Sequence, residues 1–140
     1  MTAYSHVVRR STRGSDHVLD LTDEIREVVE RSGVVTGQAT LMVVGSTASL
    51  STVEFEPGLA EHDLAAAMER LAPAAGAYRH EQTWHDDNGH AHVRAWLVGP
   101  SLSLPVVEGR IPLGTWQQIV LTDHDTRPRQ REVVVTVMGG

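Results

Sequence analysis

The chain opens on two runs in which apolar and polar side chains alternate, residues 4–12 and 16–20, separated by Arg13-Gly14-Ser15. Alternation puts every second side chain on one face of a strand, so the two runs predict a β-hairpin around that turn. From Asp20 the period changes. Leu21, Ile25, Val28 and Val29 recur at helical spacing, with cap candidates and acidic residues at Asp20–Glu24 before them and Gly33 behind. Acidic side chains suit the positive end of a helix and glycine suits its left-handed stop, which predicts a helix of roughly ten residues packed on a sheet. Thr36–Val44 and Ser49–Phe55 read as strands on either side of Gly45-Ser46-Thr47-Ala48. Pro57-Gly58 makes a turn, and Leu59–Leu71 is a second helix with Leu64, Met68 and Leu71 on one stripe.

Residues 72–79 are an Ala/Pro/Gly connection and 80–89 a polar loop. From His90 to Val98 alternation returns and predicts a strand, with His90, His92, Arg94 and Trp96 on one face and Ala91, Val93, Ala95 and Leu97 on the other. The first face is costly to bury among apolar groups, so it is expected to line a cleft or an interface. Leu102–Val107, a turn at Glu108-Gly109, Arg110–Leu113, Thr115–Asp123 and Glu132–Met138 complete a run of short strands. No repeat, linker or break in composition divides the sequence. Residues 1–140 read as a single domain of the α+β class with antiparallel sheet dominant.

Composition narrows the function. Net charge is −6 with no basic tract, which argues against nucleic-acid binding as the main role. No cysteine is present, so thiol catalysis, Cys-ligated zinc and disulfides are excluded. The start of the chain lacks an apolar core of signal-peptide length and no later segment has the length of a membrane span, so a cytoplasmic protein without membrane contact is expected.

Four of the eight histidines fall at positions 80, 85, 90 and 92, around Asp86-Asp87-Asn88. Two imidazoles at i and i+2 on a strand start a divalent-metal site, and they are equally a pair of solvated surface residues. Asp86-Asp87-Asn88 is either ligating or a turn whose side chains bond the backbone. Glu54, between Val53 and Phe55, is the first plausible catalytic or ligating carboxylate, because burying it there requires a partner. Asp63 lies near a helix start, where it also simply complements the dipole. The small residues at Gly45–Ala48 allow close approach of a ligand or form an ordinary strand end. Arg127, Arg129 and Arg131 alternate in what reads as a loop, gripping phosphate or simply solvated.

Several motifs in fixed order then resemble the YjbQ family: Tyr78-Arg79-His80, Trp84-His85-Asp86-Asp87-Asn88-Gly89-His90-Ala91-His92, Gly99-Pro100-Ser101 and Leu113-Gly114-Thr115-Trp116-Gln117-Gln118-Ile119. Glu54 and Asp63 fall where the family pattern has acidic residues. The resemblance implies a sandwich of largely antiparallel β-sheet with two or three helices, assembled as a homotrimer with sites near subunit boundaries. It also implies a metal-dependent enzyme acting on phosphorylated small molecules, with secondary thiamine-phosphate synthase activity as the instance. That reaction joins a pyrimidine methyl pyrophosphate to a thiazole phosphate and expels pyrophosphate. It needs charge against the leaving group, donors for the second phosphate and a flat surface for the rings. On that reading His80, His90 and His92 hold a divalent metal, zinc or magnesium by expectation. Glu54 and Asp63 are the catalytic carboxylates. Ser46, Thr47 and Arg94 contact phosphate, and Trp116 or Trp84 stacks on a ring. The alternative is a protein that binds metal or a phosphorylated metabolite without turning it over. One departure stands out, since many family members carry His-Thr-Thr-Ala where this chain has Gly45-Ser46-Thr47-Ala48.

Overall fold

The period-two runs build two antiparallel sheets whose apolar faces meet. In a computed structural model, which describes residues 1–140, β1 (Thr2–Thr12), β7 (Arg129–Gly139), β3 (Gly37–Val44) and β5 (Ser101–Val106) lie in that order in a four-stranded sheet. A three-stranded sheet has the order β2 (His17–Asp20), β6 (Gln117–Asp123), β4 (Ala48–Glu54). Between them, Val8, Ala39, Leu41, Val43, Val133, Val135 and Val137 pack on Ala48, Leu50, Ile119 and Leu121. The helix α1 (Thr22–Ser32) closes one end with Ile25, Val28 and Val29, preceded by Leu21. It ends as its sequence predicts, with Gly33 left-handed at φ 71°. At its start Asp20 accepts bonds from the Thr22 amide and hydroxyl at 2.9 and 2.6 Å. The α+β class with largely antiparallel sheet is as expected, with four α-helices rather than two or three.

The predicted hairpin between residues 4–12 and 16–20 does not form. β1 pairs along its length with β7, from Thr2↔Gly139 to Thr12↔Arg129, while β2 pairs with β6. The cause lies at the corner, where Gly14, Ser15 and Asp16 have φ of 77°, 53° and 62°. Three successive left-handed residues carry the chain from one sheet to the other instead of folding it back on itself. Gly14 sits so close beneath the carbonyls of Asp125 and Arg127 that a Cβ would come within 2.7 and 2.6 Å of them.

A second correction concerns the helices, which cover the outer face of the three-stranded sheet. A π-helical stretch Leu59–Asp63 runs into α2 (Leu64–Leu71), followed by α3 (Arg79–Trp84) and α4 (Gly89–Val98). The loop expected at 80–89 is therefore largely helical, with His85 left-handed at its end. The strand expected at His90–Val98 is a helix. Its buried residues are Gly89 at the start and then His90, Ala91, Arg94 and Ala95, the last four at i, i+1, i+4 and i+5, a helical period. Alternation misleads here because alanine suits any face and the buried face is itself polar. Leu71, expected on the apolar stripe of the second helix, is 66% exposed. Arg129 and Arg131 belong to β7 rather than to a loop. No helix is long and apolar enough to cross a membrane.

Candidate functional site

The polar side chains gather at one end of β6, where Asp123, His124 and Asp125 leave the strand in succession, all buried. Alternation sends Asp123 to the inner side, with Ile119 and Leu121, and His124 to the outer side. On the inner side the Asp123 carboxylate accepts two bonds from Arg131, Nε at 2.7 Å and Nη2 at 2.9 Å, and one from Thr12 at 2.5 Å. Arg131 Nη2 also donates to Thr47 Oγ1 at 2.7 Å, and Thr47 donates to Asp125 Oδ2 at 2.9 Å. Arg129 Nε reaches the same carboxylate at 3.0 Å. Burial pushes the Asp123 carboxyl up. The bonds from Arg131, Thr12 and the Asp125 amide more than offset this, so its pKa lies below the ordinary aspartate value. Asp125 is lowered in the same way, burial being outweighed by bonds from the Thr126 amide, Thr47 and Arg129.

On the outer side His124 lies between Ser49 and Asp16. Its Nε2 is 2.8 Å from Ser49 Oγ, and its Nδ1 bonds Asp16 Oδ1. Asp16 Oδ2 accepts from Arg94 Nη1 at 2.6 Å, and Arg94 goes on to Glu69 at 2.6 Å and the Ala72 carbonyl at 2.9 Å. The order Ser–His–Asp is that of a hydrolytic relay, but Ser49 and His124 are each only 1% exposed. A substrate carbonyl has no path to Ser49 Oγ, so these residues tie the sheet to the helix layer.

The ligand-type cluster lies beside this network. His80 Nδ1 is 3.0 Å from Asp86 Oδ1 and 3.2 Å from Glu81 Oε1, and His80, Glu81 and Asp86 form the one group whose ligand atoms all lie within 4.8 Å of one another. Ligands on a tetrahedral zinc at about 2.0–2.1 Å are separated by roughly 3.3 Å, and adjacent ligands on an octahedral magnesium by roughly 3.0 Å. Asp86 Oδ1 is buried without a hydrogen-bond partner, since its approach to His80 is misaligned for one. Spacing, donor chemistry and the orphaned oxygen all fit a small divalent cation. Helix contacts position the group: Gly89 N donates to Glu81 Oε1 at 2.7 Å, and a Cβ on Gly89 would come within 2.5 Å of that oxygen. The loop after Asp86 is pinned to the network by Asn88 to Asp125 at 3.4 Å and Thr126 to Asp87 at 3.0 Å.

The nine residues singled out in the sequence do not all meet. His92 packs against His80, ring centroids 4.5 Å apart and planes tilted by 44°, where α3 and α4 meet. His90, two residues away, points elsewhere because α4 is a helix. It is buried near Tyr78, its Nδ1 lacks a partner, and burial followed by the Arg94 charge lowers its pKa. It lines a groove of about 420 Å³ with Asp16, Glu61, His62, Glu69 and Arg94. Arg94 is committed to Asp16 and Glu69, and Thr47 to Asp125 and Arg131. Ser46 is exposed beside Gly45. Glu54 is exposed at the end of β4 opposite Gln117, Asp63 bonds only its neighbour His62, and Trp116 is exposed. Sequence reading missed Asp16, Ser49, Glu81, Asp123, His124 and Asp125. The available signal was the Asp123-His124-Asp125 run at the end of an apolar strand, where charges are costly unless paired.

At Gly45 the backbone has φ 139°, and a Cβ would lie 2.6 Å from Arg131 Nη1. The family-pattern histidine therefore cannot be restored there without displacing the Arg131 side chain.

Comparison with known proteins covers nearly the whole chain. A family profile described as UPF0047 protein YjbQ-like matches residues 6–140. A UPF0047 protein of Synechocystis is 41% identical over 86% of this chain and 82% of its own, and UPF0047 protein YjbQ of Escherichia coli O157:H7 is 33% identical over 85% and 86%. Among solved structures, a YbjQ-like protein of unknown function from Sulfolobus solfataricus superposes with TM-score 0.92 at 32% identity, covering 99% of this chain and 98% of that one. A hypothetical protein from Aeropyrum pernix gives 0.86 at 34% identity with complete coverage of both.

Proposed function

This chain belongs to the YjbQ family, and on that footing we propose that it is a metal-dependent enzyme acting on phosphorylated small molecules, with thiamine-phosphate synthesis as the reaction to test first. The observation that carries the reading is the convergence of His80, Glu81 and Asp86 around the unbonded Asp86 Oδ1. His80 Nδ1 and the two carboxylates would hold the cation, with the His92 ring packed behind His80 to fix its orientation. A bound divalent cation supplies positive charge against a departing pyrophosphate. The protein's own part is to orient the group: Gly89 N–H holds Glu81, and Asn88 and Asp87 hold the loop that presents Asp86.

His90 takes no place in this ligand set. Its Nδ1 is buried and unbonded, so it is not offered to a substrate in the groove, and only another part of the ring lines that groove. All three tryptophans, Trp84, Trp96 and Trp116, are at least 70% exposed. Aromatic rings so placed suit either a flat substrate or a neighbouring copy of the chain.

Metal analysis of untagged protein tests the reading. Stoichiometric zinc, or a cation exchangeable with magnesium, is expected in wild type and is expected to be lost in His80→Ala and Asp86→Asn. Equal metal content in wild type and both variants would remove the site. Product formation from the two thiamine precursors is then measured in wild type and in Glu54→Gln. Equal rates would take Glu54 out of the mechanism. Metal without product in either protein would favour binding without turnover, the reading to which the exposed, unpartnered Glu54 lends weight.

A further inference from the structure

Arg131 is a buried guanidinium with one end left over. Its Nε and Nη2 are spent on Asp123 and Thr47, and its side chain is only 8% exposed. Nη1 makes no hydrogen bond to any residue, yet it is not among the buried polar atoms closed off without a partner. What little of Arg131 remains open therefore includes Nη1, and the direction in which it opens is fixed by Gly45. A Cβ at that position would sit 2.6 Å from Nη1, and the glycine's φ of 139° is a conformation other residues rarely adopt. A cradle is thus held open over a charged donor that Asp123 keeps rigid from behind.

The local charges balance. Arg127, Arg129 and Arg131 face Asp87, Asp125 and Asp123 through their ion pairs. A ligand here is therefore recognised by directed N–H donors rather than by a general positive field. A tetrahedral oxyanion is the chemistry that uses them. With Nε and Nη2 taken, Nη1 alone presents its N–H donors to a phosphate oxygen as a charge-assisted bond, and the exposed Ser46 beside Gly45 offers a hydroxyl. The cradle is also coupled to the proposed cation site. Arg131 leads to Asp125 at 3.9 Å, Asp125 to Asn88 at 3.4 Å, and Asn88 is two residues from Asp86.

We propose that Arg131 Nη1, uncovered by the absent side chain of Gly45, is the subsite for a phosphoryl group of the substrate, in the place that sequence reading gave to Arg94. The inference rests on the reading of the protein as one that acts on phosphorylated molecules, and it assigns the anchor for a phosphate that the cation does not hold. Arg94 is the poorer anchor, because its charge is already met by Asp16 and Glu69 and each of its nitrogens is engaged, whereas Arg131 keeps Nη1 wholly unbonded.

The probe is inorganic phosphate, titrated by calorimetry into the full chain stripped of metal with a chelator, so that binding is read without the cation. Wild type is expected to bind, and Gly45→Ala and Arg131→Lys to bind about tenfold more weakly, the loss of one hydrogen bond to a charged group. Thermal melts show whether each variant folds. If neither does, amide shifts in wild type decide, with phosphate expected to move the Gly45, Ser46 and Thr47 resonances. His80→Ala is expected to leave phosphate affinity unchanged. Unchanged affinity in folded Gly45→Ala and Arg131→Lys, or no shift at residues 45–47, overturns the subsite. Loss of phosphate binding in His80→Ala alone also overturns it while leaving the cation site standing. Failure of metal uptake with phosphate binding intact sinks the cation reading and spares this one.

Discussion

The two faces of β6 show how one strand can serve opposite ends. Toward the four-stranded sheet, Ile119 and Leu121 are wholly buried among valines and leucines from six other elements. Toward the helices, Val120 belongs to a small apolar cluster, and Thr122 and His124 follow it into the hydrogen-bonded layer with Ser49, Asp16 and Arg94. The inner face draws its stability from area removed from water, a contribution that tolerates changes of detail. The outer layer and the Asp123–Arg131 plug depend on every donor meeting its acceptor, and a single missing partner leaves a charge buried alone. The first kind of packing makes the fold; the second fixes side chains to a fraction of an ångström, which is what a binding site requires.

The comparison is broken most severely by removing one half of the plug. Asp123→Ala removes the close carboxylate from buried Arg131, leaving only Asp125 at 3.9 Å, and is expected to cost about 3–5 kcal/mol in chemical denaturation. The double variant Asp123→Ala/Arg131→Met is expected to recover much of that loss, and a double variant no more stable than the single would show that charge pairing is not what holds this end. Next comes Leu121→Ala on the apolar face, expected to cost about 2–5 kcal/mol with no change in metal uptake. A loss of metal binding there would show that the two faces are not separable.

The smallest effect is the response to acid, which touches only the polar regions. Burial, then the nearby charge of Arg13 for His17 and of Arg94 for His90, holds both pKa values below the ordinary 6.5. The unfolded chain therefore takes up these protons first, and stability falls as pH drops through 6.5 toward the folded values. Asp20, Asp123 and Asp125 lie below 3.8, so their stabilisation is complete above that value and is lost as pH falls through the folded pKa values. Thermal melts are expected to decline in two stages, and His90→Gln to flatten part of the first. A single decline confined to the carboxylate range would contradict the burial of neutral His90.

The same contrast explains what the sequence could reveal. Helix α1 and strands β3, β6 and β7 were legible because their burial follows one apolar period, and Gly33 marks a stop that requires a left-handed residue. His90–Val98 reads as a strand in the sequence because a helix whose buried face includes His90 and Arg94 beside alanines carries no apolar stripe. The pairing of β1 with β7 was hidden by distance along the chain, and local turn chemistry at Gly14 suggested the wrong partner. Of the candidate site, His80 and His92 emerge as neighbours, but the carboxylates beside His80 are Glu81 and Asp86 rather than Glu54. Helical turns brought these residues together, and a strand reading could not place them.

The corner at Asp16 has one more consequence, which concerns how readily the layers form and open. Its carboxylate joins His124, 108 positions away, to Arg94, 78 positions away, and so couples the end of β6 to the helix layer. Contacts of such separation form slowly, as do the β1–β7 pairs of the sandwich itself, because long loops must be ordered before the bond rewards them. Because α2 and α3 contain no buried residue, the helix layer is expected to open more readily than the sandwich beneath it. A cation held by α3 and the loop after it would stabilise that layer against local opening.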